Sequence, residues 1–190
     1  MQQNWQRFKD SFEKFIIQDL NKSLKSDIEV GTIFLTVIGL ECLSGYFVGK
    51  PSNKETFISF INAFMPRYFP HAKAIYQCIR NGLSHDYIIK ESEGQSFLFT
   101  RNRGEKHLIP LEGKPKWFYF NREQFALDFL DAQRNYFEQV DNDQELFERA
   151  VRRLKLRNFL DVFSYQFRTS FVNSEEIPDE YNGVTGTSRV

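Results

Sequence analysis

Cysteine, histidine and long apolar runs are scarce in this chain, and each scarcity closes off a class of protein. Two cysteines stand among 190 residues, Cys42 and Cys78, and both fall in apolar stretches with helical spacing. That usage suits buried free thiols in a reducing compartment better than the disulfide framework of a secreted domain. No uninterrupted apolar run is long enough to cross a bilayer, and no charged, apolar and small-residue succession opens the chain. The longest run, Ile33 to Leu40, is broken by Thr36 and Gly39 and flanked by Glu29 and Glu41, which predicts a buried helix in a soluble, cytoplasmic protein. Three histidines, with Glu41 and Asp86, make no metal-ligand spacing, so neither a metal nor a cofactor is expected. Neither Ser44 nor Ser84 sits in a nucleophile elbow. Lys plus Arg equals Asp plus Glu at 25 each, so no global positive field gathers nucleic acid, and any such contact must be local.

Aromatic bulk is what the chain has in quantity. Twenty-one phenylalanines give a core of large rings, some of them available to a subunit interface. The length suits one domain, read as residues 1–172, with a polar tail at 173–190 that reads as disordered. Trp5, Phe8, Phe12, Phe15, Ile16 and Leu20 recur at spacings of three and four and predict a first helix over 4–25. Asp27 can cap a second helix over 28–47. Its Gly31, Gly39, Gly45 and Gly49 permit another backbone to come close or end the helix. Asn53 or Ser52 can cap a third, over 54–65, stopped by Pro66.

From Pro70 the positions Ala72, Ile75, Tyr76, Ile79 and Leu83 predict a fourth helix, and Gly82 is a point where it can stop or loosen. Short β-prone runs follow at Tyr87–Ile89, Ser96–Thr100, Leu108–Ile109 and Trp117–Phe120, separated by glycine-bearing turns. They predict a small antiparallel insertion at about residues 87–120, with three strands better supported than four. Asn121 then caps a long helix to about Val140, and a further helix starts near Asn142. The fold class expected is mainly α, a helical bundle carrying a small sheet.

The polar cluster that closes the fourth helix, Arg80, Asn81, Ser84 and His85, is the candidate for chemistry. Arg80, Asn81 and His85 resemble the motif of the HEPN family (higher eukaryotes and prokaryotes nucleotide-binding domain). In that family's nucleases an arginine, usually followed by a polar residue, precedes a histidine by four to six positions. The resemblance covers the motif and the helical stretch from about 28 to 160. It implies a helical bundle acting as a metal-independent endoribonuclease, and a homodimer whose two motif helices meet at a shared cleft. Arg101, Asn102 and His107 satisfy the same spacing but lie in a glycine- and charge-rich connection, so the first match is preferred.

Five residues on an ideal α-helix are rotated by about 140°, so Arg80 and His85 do not share a face. Either the helix breaks at Gly82, or the arginine wraps around, or two chains assemble the pair. A neutral imidazole can take the proton of a ribose 2′-hydroxyl, while a guanidinium holds the phosphate and offsets the charge that builds on it. The competing reading has Arg80 paired with a carboxylate such as Asp86 and His85 at a helix end. In that case the chain is a non-catalytic helical dimer that binds a partner protein or nucleotide. Arg149, Arg152 and Arg153 belong to a basic run without an intervening acid, either a phosphate-contacting surface or a solvated helix face.

Overall fold

A helical bundle with a small sheet packed on it makes up the computed structural model, which describes residues 1–26, 28–83, 91–92, 94–100, 104 and 106–156. The fold is mainly α with a small β insertion. The elements in order are α1 (Gln2–Phe12), a π-helical turn (Glu13–Ile17), α2 (Gln18–Lys25), α3 (Glu29–Val48) and α4 (Lys54–Phe64). A 3-10 segment (Pro66–His71), the single turn α5 (Ala72–Ala74) and a second π-helical segment (Ile75–Asn81) follow. The sheet strands are β1 (Ser96–Thr100), β2 (Pro110–Leu111) and β3 (Lys114–Asn121), and α6 (Arg122–Asn142) and α7 (Gln144–Leu156) complete the described chain. The expected domain limit at 172, the tail, Asp27 and the β-prone run Tyr87–Ile89 lie outside the described residues.

The first aromatic stripe is present, with one change of phase. Trp5, Phe8 and Phe12 are buried, yet the next fully buried residues are Ile17 and Leu20, while Phe15 and Ile16 are half-buried. A π turn accommodates one residue more than an α turn, so the buried face resumes five positions after Phe12 instead of three or four.

The centre of the bundle is α3, which packs against α2, α4, α6 and α7. It is apolar nearly all round and, at 20 residues, long and apolar enough to span a membrane. Half of its residues are instead buried in the protein. Its glycines act as the spacing implies. A Cβ on Gly39 would stand 2.4 Å from Cζ of Phe129 on α6. Gly49 ends the helix at φ +73°, and its Cα lies against the Arg149 backbone of α7.

Polar side chains mark the other boundaries. Asn53 caps α4 reciprocally with Thr56: Asn53 Oδ1 accepts from the Thr56 amide and Thr56 Oγ1 from the Asn53 amide, each at 2.9 Å. Asn121 Oδ1 accepts from the Gln124 amide at 2.9 Å and starts α6, as its sequence position predicts. The α6 stripe of Phe125, Phe129, Tyr136 and Val140 then fills the core, where Tyr136 meets Phe47, Phe60 and Phe64 edge-on.

The sheet departs from the expected antiparallel arrangement. Its order is β1-β3-β2, with β3 in the middle, antiparallel to β2 but parallel to β1. A tight turn at Gly113, φ +71°, can return the chain only beside β2 and in the opposite sense. The whole connection from Thr100 is spent on bringing β3 back alongside β1 in the same direction, and β2 lies within it. Phe97, Phe99, Phe118 and Phe120 alternate onto the face that packs on the helices, with Phe120 against Phe125 and Tyr68.

Candidate functional site

Arg80 lies in the last turn of the π segment Ile75–Asn81, which buries Ile75, Cys78 and Ile79 and leaves Tyr76, Arg80 and Asn81 half-exposed. The helix does not stop at Gly82, whose φ −59° and ψ −50° continue the winding into Leu83. The described helix therefore runs unbroken through Gly82 to Leu83. What the sequence reading lacked is the π winding itself, an uncommon geometry that recurs at functional sites.

Glu41 of α3 holds the guanidinium by two parallel bonds, Nε to Oε2 at 2.8 Å and Nη2 to Oε1 at 2.5 Å. Nη1 donates to Asn81 Oδ1 at 3.0 Å, and the guanidinium stands 5.4 Å from the Tyr76 ring centroid. Hydrogen bonding to Glu41 pushes the Arg80 pKa up against an opposing effect of burial, so the group is a permanent cation. The two side chains are 22% and 23% exposed, which keeps the pair in contact with solvent. The bonds formed among the described residues use three of the five guanidinium N–H groups.

Among the described residues the carboxylate partner is Glu41. A signal for it existed in the sequence, since Glu41 is a lone charge inside the most apolar helix and a charge so placed needs a counter-ion. Asn81, expected to orient His85, accepts from Arg80. His85, Ser84 and Asp86 lie outside the described residues, as do Arg101 and Asn102. The start of the insertion is fastened to the motif helix: Cys78 Sγ donates to Gln95 O at 3.4 Å and Ser92 Oγ to Gln77 Oε1 at 3.1 Å.

The second sequence match resolves differently. His107 is 7% exposed, and its Nδ1 accepts from the Asn121 amide at 2.8 Å. Tyr68 spends its hydroxyl proton on Asp128 Oδ2 at 2.7 Å, so His107 Nε2–H must donate to Tyr68 Oη, 2.8 Å away. The imidazole is neutral, with both nitrogens engaged, and the relay ties the sheet to the 3-10 segment and α6. Burial, aided by Arg67 and His71 and opposed by Asp128, lowers the His107 pKa to about 4. Between pH 6.5 and 4 the unfolded chain binds a proton that the folded chain refuses, so stability is full above 6.5 and falls as the pH drops. The loss from this residue is roughly 3 kcal/mol. Urea melts of wild type and His107→Gln, run from pH 7.5 to 4, should show a smaller pH dependence in the variant; parallel curves would remove His107 as the source.

The basic run on α7 is not one exposed surface. Arg153 is 7% exposed and lies against Gly45 of α3, Arg149 pairs with Glu145 one turn back, and Arg152 is exposed. The reason is the close approach of α7 to Gly45 and Gly49, which turns Arg153 inward. Among the described residues no three His, Cys, Asp or Glu side chains group as metal ligands do.

No protein-family model matches the chain, and no curated protein or solved structure does.

Proposed function

We propose that the chain is a HEPN-like, metal-independent endoribonuclease, and that Arg80 is its phosphate-holding cation. The observation that carries the reading is the immobilised guanidinium: Glu41, Asn81 and the Tyr76 ring fix its plane at the end of the motif helix while it stays solvent-accessible. A preorganised cation of this kind stabilises developing charge without rearrangement. In the reaction, His85 takes the proton of a ribose 2′-hydroxyl and the freed oxygen attacks the adjacent phosphorus. The P–O5′ bond breaks, the imidazolium gives its proton up to the leaving 5′-oxygen, and the products are a 2′,3′-cyclic phosphate and a 5′-hydroxyl end. The active species is a homodimer in which Arg80 and His85 act across the two-fold, and Arg152 adds a phosphate contact. Two free cysteines accord with a reducing, cytoplasmic setting.

One observation favours a second reading. Glu41 neutralises Arg80, which is also what a structural ion pair in a non-catalytic dimerisation module would look like. The two separate on incubation of the purified protein with a mixed RNA pool in EDTA, with end-group analysis of the products. The enzyme leaves cyclic phosphate ends on RNA and spares DNA, which lacks the attacking hydroxyl. Intact RNA at micromolar protein, with light scattering reporting a dimer, would leave the module.

A further inference from the structure

The solvent face of the sheet brings apolar and aromatic side chains into register. Strand register puts Leu98 of β1 opposite Tyr119 of β3, and Ile109 exchanges a backbone bond with Tyr119 from the other side. Side chains alternate along a strand, so these three form one row across the face turned away from the Phe118 and Phe120 core. Leu98 is 46% and Ile109 49% exposed. Trp117, two residues before Tyr119, lies on the same face in the next row, beside the buried Ser96, and both rings are half-buried.

Each of the two aromatic rings carries a lysine. Lys106 Nζ stands 5.1 Å from the Tyr119 centroid and Lys114 Nζ 4.6 Å from that of Trp117, and both lysines are exposed. Among the described residues from 106 to 117 stand Lys106, Lys114 and Lys116 against Glu112, in a chain with no net charge.

We propose that this face is a stacking platform for single-stranded RNA, with bases on Trp117 and Tyr119 and the backbone phosphates met by Lys106 and Lys114. Single strands are bound this way because every base has a flat apolar face and every linkage a negative charge. An exposed lysine over a ring is held more weakly than a stacked base, so an incoming base displaces the ammonium, which then turns to the neighbouring phosphate. The charge on the lysines selects a polyanion over an apolar protein partner.

The platform deepens the ribonuclease reading and rests on it for the choice of RNA. It begins beside the candidate catalytic helix, because Gln95, the residue before β1, bonds Cys78, two positions from Arg80. Leu98 is three residues further on, or roughly 10 Å along the strand.

The experiment uses the full chain carrying His85→Ala, so that binding is read apart from cleavage. Anisotropy of a fluorescein-labelled U12 oligoribonucleotide is followed against protein concentration at several salt concentrations. Trp117→Leu and Tyr119→Leu, chosen to keep apolar bulk, should each weaken binding about tenfold or more. Lys106→Gln and Lys114→Gln should each lower the slope of log affinity on log salt by a little under one. Thermal melts of the ring variants establish that they fold, and Leu98→Ala, which leaves both rings in place, serves as a second variant with a smaller expected loss. Unchanged affinity in the folded ring variants overturns the platform, as does absence of binding. So does a dimer that the ring substitutions dissociate while leaving RNA affinity intact. Binding that depends on the rings in a protein whose wild type cleaves nothing keeps the platform and discards the enzyme. Cleavage with ring-independent binding does the reverse.

Discussion

Arg80→Ala and His85→Ala should each lower the rate of RNA cleavage by two or more orders of magnitude. The difficulty is that Arg80 also balances Glu41. Removing it leaves a half-buried carboxylate without its two charge-assisted bonds, at a cost of about 1–3 kcal/mol of stability. Lost activity could then be read as lost fold. A double variant separates the two: Glu41→Gln with Arg80→Met removes both charges, keeps the volume and should recover most of the stability. If Arg80 acts on the phosphate, the recovered protein stays inactive. Arg80→Lys should remain impaired, because an ammonium cannot form the side-on pair with Glu41 and face a phosphate as a plane. Asn81→Ala should do less, since it touches only one guanidinium nitrogen. Activity in the double variant equal to wild type would confine Arg80 to the fold.

Phe129→Ala should lower stability by about 3–5 kcal/mol, the usual loss for a fully buried ring. Against the 5–15 kcal/mol that holds a typical domain, that is a large share. The ring fills the notch left by Gly39, where a Cβ would come within 2.4 Å of Cζ and 2.9 Å of Cε1. Gly39→Ala alone should therefore destabilise by about 1–3 kcal/mol through overpacking, although alanine is the better helix former. In the Phe129→Ala background the main obstacle is gone, and only Ile16 Cγ2, at 3.3 Å, must give slightly. There Gly39→Ala should reverse sign and stabilise by up to about 1 kcal/mol. Urea denaturation of the four proteins closes the cycle, and additive effects would show that ring and notch are not coupled.

Helices were legible wherever period and cap agreed. Asn121 followed by Phe125, Phe129 and Tyr136 defines α6 almost to the residue, and Asn53 before Phe57 and Ile61 does the same for α4. Period could not reveal where the helical pitch itself changes. The two π segments look apolar at three and four like any amphipathic helix, and only packing shows the extra residue near Glu13–Ile17. The parallel pairing of β1 was hidden for a related reason: strand runs carry their own alternation but not the direction of their partner. At the candidate site Arg80 and Asn81 were legible from their spacing, whereas the Glu41 pairing joins residues 39 apart and is a product of the tertiary fold. His107 satisfied the motif's spacing and is a core histidine, because spacing carries no information about burial.

The order in which the ribosome delivers these elements gives α3 a hazardous interval. Its last residue is 48, while α6 and α7, which cover two of its flanks, end at 142 and 156. Another 108 residues, 156 minus 48, must therefore be polymerised before α3 is enclosed. At about 5–20 residues per second that delay is roughly 5–20 s. Throughout it, a 20-residue helix apolar enough to enter a bilayer has α1, α2, α4 and the Ile75–Asn81 segment, but neither α6 nor α7 complete, to shelter it. The yield of folded chain should therefore depend on how fast the distant α6 arrives with Phe129 to close over Gly39.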